Sequence, residues 1–157
     1  MGKGEMPELV EEPIEVRNSI NAFRSWVHNN DIEWLEVEKK IYHRKEKYAG
    51  TLDAVAKIKG QLCVIDFKTS NKIYKDYYLQ IAAYAKALED MYGEPVPVCY
   101  IMRFDKDSGK FQEKCIDPDA HWDAFLAAKL LSGWHSKRVT NFDPSLKGPD
   151  NERRLED

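Results

Sequence analysis

The sequence has no long apolar run and no secretory leader. No stretch approaches the roughly 18 consecutive apolar residues that indicate a membrane helix. The first residues also lack the charged-then-apolar order of a signal peptide. We therefore expect a protein without membrane contact, located in the cytoplasm of a bacterial cell or of a host cell carrying a virus.

Cysteine is scarce and scattered. The three cysteines, Cys63, Cys99 and Cys115, are far apart and form no CxxC pair. An iron–sulfur cluster needs four thiolates, so this chain cannot hold one by itself. Cys63 and Cys99 lie in apolar runs, where a free cysteine behaves as a small core residue.

Basic residues are not in excess, since 27 Asp and Glu outnumber 24 Lys and Arg and the net charge is −3. Any DNA-binding surface must therefore be a local basic patch. The 157 residues, 43% hydrophobic and 32% charged, suit one globular domain with a core. We expect a flexible leader over residues 1–15, the domain over 16–135 and a poorly ordered tail over 136–157.

Hydrophobic periodicity predicts an α/β protein with a mixed central sheet flanked by helices. The expected helices begin at Asn18 or Ser19, at Tyr74, and at Asp117 or Asp119. The expected strands cover residues 32–42, 48–58, 61–68, 96–104 and 110–116. Short turns make the first three strands antiparallel, whereas a helix before strand 96–104 favours parallel pairing. In the first strand, alternation would place Trp34, Glu36 and Glu38 on one face.

Residues 48–84 contain the main candidate catalytic residues. Asp66 and Lys68 are two apart in an apolar strand, so they share a face, and Asp53 lies on the preceding strand. Buried charges are costly unless they are paired. A divalent cation such as Mg²⁺ or Mn²⁺ would remove the repulsion between the two carboxylates. Lys68 can orient or help to deprotonate water, or stabilise charge on a phosphate, which indicates metal-assisted phosphodiester hydrolysis.

Taken alone, the Asp66-x-Lys68 pattern also fits a salt-bridged edge strand, so the surrounding motifs decide between a structural and a catalytic interpretation. The ordered set Gly50-x-x-Asp53, Ile65-Asp66-Phe67-Lys68-Thr69 and Gln80-x-x-x-Tyr84 resembles the PD-(D/E)XK nuclease superfamily in its RecB-type branch. Within that branch it is similar to the mitochondrial genome maintenance exonucleases, over roughly residues 34–103. The resemblance implies a restriction-endonuclease-like core.

The resemblance also implies roles for individual residues. Asp53, Asp66 and Lys68 would be catalytic, with Gln80 close to the site and Tyr84 beside it. Glu38 matches an upstream glutamate of the family and would serve as a third metal ligand or as a base. Its neighbour Glu36 is the alternative, although the spacing to Gly50 favours Glu38. Members of the family often have a metal-binding histidine well before this glutamate, and His28 is the candidate here, although we favour a surface or capping role for it.

Cationic and aromatic side chains precede Gln80. Lys72, Tyr74 and Lys75, together with Tyr84, are suited to neutralising a nucleic-acid backbone and stacking on bases. We expect a Mg²⁺- or Mn²⁺-dependent DNA nuclease, an exonuclease on single-stranded ends in replication, recombination or repair, with a helicase or recombinase as partner. The alternatives are a nuclease-like DNA- or protein-binding subunit of a phage or recombination complex, and a plain α/β interaction domain.

Overall fold

The structure, a computed structural model, describes residues 12–136. They form a five-stranded sheet with helices packed on it, which confirms the predicted α/β class with a mixed sheet. The elements are α1 (Ile14–Asn29), β1 (Ile32–His43), β2 (Tyr48–Ile58), β3 (Gln61–Lys68), α2 (Lys75–Tyr92), β4 (Val98–Phe104), β5 (Phe111–Ile116) and α3 (Asp119–His135).

The strands lie in chain order, and the connections determine their directions. β1, β2 and β3 are successively antiparallel. The turn from β2 to β3 is two residues long, and Lys59 and Gly60 both have positive φ, as a type I′ hairpin requires. Helix α2 carries the chain back across the sheet, so β4 is parallel to β3, as predicted. β5 then returns antiparallel to β4.

The core has two parts, one on each face of the sheet. The part between α2 and the sheet includes Leu52, Val55 and Val64 of the strands and Ile81 of the helix. The part between α1 and the sheet includes Trp26 of the helix, whose ring packs against the rings of Phe23 and Tyr100. Burial on both faces explains why β3 is almost continuously apolar. It also confirms that Cys63 and Cys99 are core residues.

The predicted start of the first helix was wrong. Helix α1 begins at Ile14, and the carbonyl of Pro13 accepts the first helical hydrogen bond from the Arg17 N–H at 3.1 Å. Proline has a fixed φ compatible with entry into a helix, and this residue is the signal for the earlier start. Ser19 is an interior residue whose hydroxyl donates to the Val16 carbonyl at 2.9 Å, so neither it nor Asn18 caps the helix.

The predicted common face of Trp34, Glu36 and Glu38 was also wrong. The pairing of β1 with β2 shifts between Trp34 and Glu36, where β1 contains an extra residue. Such a bulge reverses the alternation of side chains beyond it. Trp34 therefore packs against Phe23 of α1, whereas Glu36 lies on the other face beside Lys39 and Tyr92.

The predicted leader and tail fall largely outside the described residues, and the domain boundaries stay predictions. By its internal contacts the chain divides into two units, one ending at Leu126 and the other beginning at Ala127. Among the described helices, none combines the length and apolarity that would let it cross a membrane.

Candidate active site

β2 and β3 separate where their acidic residues lie. Their pairing ends at Ala54 and Ile65, and beyond this point the Asp53 carboxylate accepts a hydrogen bond from the Phe67 N–H at 2.8 Å. The side chain thus satisfies a backbone donor that a continued ladder would have paired. This contact holds the Asp53 carboxylate at the level of Asp66.

Asp66 is a buried carboxylate, 3% exposed. Burial raises its pKa, and the negative charge of Asp53 raises it further, whereas Lys68 lowers it. The Lys68 ammonium lies 2.8 Å from Oδ2, a distance that makes an ion pair. The contact lacks the direction of a hydrogen bond, and within the described residues Oδ2 has no hydrogen-bond partner. We therefore treat the contact as an ion pair that leaves this oxygen able to bind another group.

Lys68 is connected to helix α2 by a short relay. Its ammonium donates to Gln80 Oε1 at 2.7 Å, and Gln80 Nε2 donates to the Tyr84 hydroxyl at 3.1 Å. Gln80 and Tyr84 are one helical turn apart and share a face. Both ends of the amide are therefore used, which fixes the position of the lysine relative to the helix.

Gly50 makes room for the last member of this relay. A Cβ atom at residue 50 would lie 2.9 Å from Cε1 of Tyr84, closer than carbon atoms approach. The ring of Tyr84 therefore packs directly on the backbone of β2, the close approach that a strand glycine permits. Burial is also the main reason that the pKa of Tyr84 is raised.

The structure does not bring Glu38 into a cluster with the two aspartates. Glu38 lies between the β1–β2 pairs Val37–Ala54 and Lys39–Leu52, so its backbone is opposite that of Asp53. It has a left-handed φ of 49°, and its side chain is exposed. Among residues 12–136, no group of three or more His, Cys, Asp and Glu side chains is arranged to hold a metal ion. The role of Glu38 stays a prediction.

Glu36, the alternative to Glu38, and His28 both lie away from the two aspartates. Glu36 is paired with Lys39 at 2.5 Å, and this contact is the main reason that the pKa of Glu36 is lowered. His28 is exposed in the last turn of α1. Neither residue contacts the aspartates.

The predicted nucleic-acid contacts lie at the start of α2. Lys72, Tyr74 and Lys75 are exposed, and the Lys72 ammonium lies 4.9 Å from the centre of the Tyr74 ring. The Tyr74 hydroxyl donates to Asn71 Oδ1 at 2.9 Å, which orients the ring. Tyr84, the fourth predicted contact, is half-buried in the relay instead of exposed with the others.

Sequence reasoning missed Arg103. It lies beside Lys68 in the parallel pairing of β3 and β4 and is 6% exposed. Its guanidinium donates to the Ser70 carbonyl at 3.0 Å and to Asp105 Oδ2 at 3.2 Å. Arg103 thereby joins the loop that follows Lys68 to the turn after β4. A lone charge near the end of an apolar strand was the signal that could have identified it.

Comparisons with known proteins point to nucleases. Mitochondrial genome maintenance exonuclease 1 of Mus musculus is 43% identical over 58 residues, which are 33% of this chain and 17% of that protein. An ATP-dependent helicase/nuclease subunit of Clostridium kluyveri is 30% identical over 104 residues, 60% of this chain and 8% of that protein. The resemblance to PD-(D/E)XK nucleases is confirmed.

The extent of these matches is limited. The chain spans less than a fifth of the length of these two relatives. No protein-family profile matches it. Among solved structures, an alkaline exonuclease from Laribacter hongkongensis superimposes with a TM-score of 0.49 at 14% identity, covering 76% of this chain and 64% of that one.

Proposed function

We propose that this chain is a metal-dependent deoxyribonuclease domain that hydrolyses phosphodiester bonds. The observation that carries the proposal is the environment of Asp66. Asp66 is buried beside a second carboxylate, that of Asp53, and within residues 12–136 its Oδ2 has an ion-pair contact with Lys68 but no hydrogen bond. Burial of such a group is costly, and burial together with Asp53 raises its pKa, which favours a role in ligand binding.

The two aspartates fit a divalent cation. Mg²⁺ keeps several water ligands and is commonly bound by one or two carboxylates together with substrate phosphates. Asp66 Oδ2 and the carboxylate of Asp53 would supply that donor set, and a third protein ligand is not required. When bound, the ion supplies a Lewis acid that polarises a phosphate oxygen and makes water a stronger nucleophile at neutral pH. Either Mg²⁺ or Mn²⁺ suits these oxygen ligands.

Lys68 acts in this proposal as a cation and not as a base. Its ammonium is a donor to Gln80 Oε1 and pairs with the Asp66 carboxylate. A fixed positive charge beside the scissile phosphate would stabilise the negative charge that develops there during hydrolysis. Gln80 and Tyr84 are positioning residues that hold the ammonium in place.

The substrate we propose is a single-stranded end of DNA. Tyr74 offers an exposed ring for base stacking, and Lys72 and Lys75 supply the positive charge that the chain as a whole lacks. Because one relative is named as part of a helicase/nuclease, we propose a helicase as the partner that would supply such an end. Exonuclease action is proposed from the name of the other relative, the exonuclease of Mus musculus.

A binding module without activity is the second candidate. It is favoured by the exposed side chain of Glu38 and by the absence, within residues 12–136, of a cluster of three metal-binding side chains. In that case the domain would bind DNA without cleaving it.

The decisive experiment uses end-labelled single- and double-stranded DNA with Mg²⁺, Mn²⁺ or a chelator. We expect metal-dependent cleavage by the wild type, and a loss of roughly 100-fold or more in Asp66→Asn and Lys68→Ala. Asp107→Asn and Lys114→Ala change exposed residues of the same types and should leave cleavage unchanged. Binding without cleavage in either metal would support the second candidate, and equal cleavage by all variants would overturn the proposed active site.

A further inference from the structure

Besides Asp66 and Gln80, the Lys68 ammonium has a third neighbour, the aromatic ring of Tyr77. The ammonium lies 4.5 Å from the centre of this ring, within the range of a cation–π interaction. Tyr77 lies on α2, three residues before Gln80, so both side chains reach Lys68 from the same face of the helix. We infer that Tyr77 is a positioning residue, whose ring face holds the Lys68 ammonium between Asp66 and Gln80; this inference rests on the proposed nuclease function.

An ammonium group has three N–H donors, and one of them is directed to Gln80 Oε1 at 2.7 Å. The ammonium nitrogen also lies 2.8 Å from Asp66 Oδ2, and the ring face of Tyr77 is a further, weaker acceptor. The Asp66 contact lacks hydrogen-bond direction, so it does not fix the orientation of the group. The lysine side chain is long and flexible, and a planar surface on its open side restricts where the charge can lie.

The Tyr77 ring is itself held in place. It packs against the core beneath α2, and the edge-to-face contact with Tyr74 has a centroid distance of 5.5 Å and an interplanar angle of 80°. Tyr74 in turn carries the Lys72 ammonium over its ring. The two rings in contact therefore lie between two ammonium groups, that of Lys72 in the exposed loop and that of Lys68. A base stacked on Tyr74 would be separated from the catalytic ammonium by one aromatic ring.

The test compares variants that keep or remove the ring. Tyr77→Phe keeps the aromatic face and should cleave single-stranded DNA within about twofold of the wild type. Tyr77→Leu fills similar space without that face, and we expect kcat to fall about tenfold with KM little changed. Tyr78→Leu is the matched control, because it removes a neighbouring ring of α2 that packs on His121 instead of on Lys68. It should leave kcat within about twofold.

A second measurement does not depend on activity. Protons above an aromatic face resonate upfield, so the Lys68 methylene signals, assigned with Lys68→Arg, should be displaced in the wild type and in Tyr77→Phe. In Tyr77→Leu they should return to ordinary lysine positions, and in Tyr78→Leu they should stay displaced.

The outcomes separate this inference from the proposed function. Undisplaced Lys68 signals in the wild type, or equal losses of kcat in Tyr77→Phe and Tyr77→Leu, would overturn the role of Tyr77. If Lys68→Ala cleaves as well as the wild type, the proposed function fails, and displaced signals that depend on the ring would still establish the Tyr77 contact.

Discussion

The contact between Gly50 and Tyr84 predicts how Gly50→Ala changes the stability of the protein, and two opposing effects determine whether stability rises or falls. Gly50 lies in the interior of β2, where replacing glycine by alanine ordinarily stabilises a protein by about 0.5–1 kcal/mol. Here the added Cβ would lie 2.9 Å from Tyr84 Cε1. Because carbon atoms in contact are about 3.5–4.0 Å apart, the ring would have to retreat by roughly 0.6 Å or more.

Overpacking of this kind costs about 1–3 kcal/mol, so it outweighs the gain from alanine. We expect Gly50→Ala to lower the free energy of unfolding by about 1 kcal/mol, measured by urea denaturation. The displaced ring would also lengthen the 3.1 Å hydrogen bond from Gln80 to the Tyr84 hydroxyl. Since Gln80 holds Lys68, cleavage should fall by about tenfold, less than the roughly 100-fold that a displacement of about 1 Å can cause.

The same substitution in a Tyr84→Ala background provides the control. Without the ring, the nearest remaining contact of the new Cβ is Ile41 Cδ1 at 3.7 Å, an ordinary packing distance. Alanine at residue 50 should then stabilise the protein by about 0.5–1 kcal/mol relative to glycine. A loss of stability of equal size in both backgrounds would refute the explanation by ring contact.

Three further predictions follow from contacts described above. Asp66→Asn should raise the free energy of unfolding at pH 7 while abolishing cleavage, because burial raises the pKa of Asp66 and the folded state resists its ionisation. This gain in the free energy of unfolding should be complete above the folded-state pKa of Asp66 and vanish as the pH falls below its unfolded-state pKa of 3.8. Urea denaturation at several pH values checks this, and a gain that does not change with pH would contradict it. Tyr48→Phe removes the hydroxyl that donates to the Ala83 carbonyl at 2.6 Å and should lower the free energy of unfolding by about 1 kcal/mol. Urea denaturation measures this loss, and an unchanged stability would contradict the prediction. Arg103→Met should speed amide hydrogen exchange in the loop containing Ser70, whose carbonyl it anchors, and unchanged exchange would show that the loop is held by other contacts.

The regular elements could be predicted because their periodicity is strong. β3 is almost continuously apolar and α2 repeats its apolar residues at helical spacing, so the predicted bounds of β3 and the predicted start of α2 agree closely with the observed ones. The parallel pairing of β4 followed from the helix that precedes it. The grouping of Asp66 and Lys68 required only the alternation of a strand.

Features set by long-range contacts could not be predicted in this way. The bulge before Glu36 depends on how β1 pairs with β2, and no residue type in β1 indicates where it lies. The contact of Lys68 with Gln80 joins a strand to a helix whose rotation is set by packing. The burial of Arg103 depends on carbonyl and carboxylate partners in two separate loops.

The irregular course of β1 has a consequence for solubility. β1 lies at the edge of the described sheet, and it exposes Leu35 and Val37, at 39% and 72%. A long, regular and apolar edge is a template onto which another copy of a protein can add as a further strand and begin to aggregate. The extra residue near Leu35 and the left-handed Glu38 interrupt the row of free N–H and C=O groups. The distortion that sets Glu38 opposite Asp53 therefore also protects this edge against self-association.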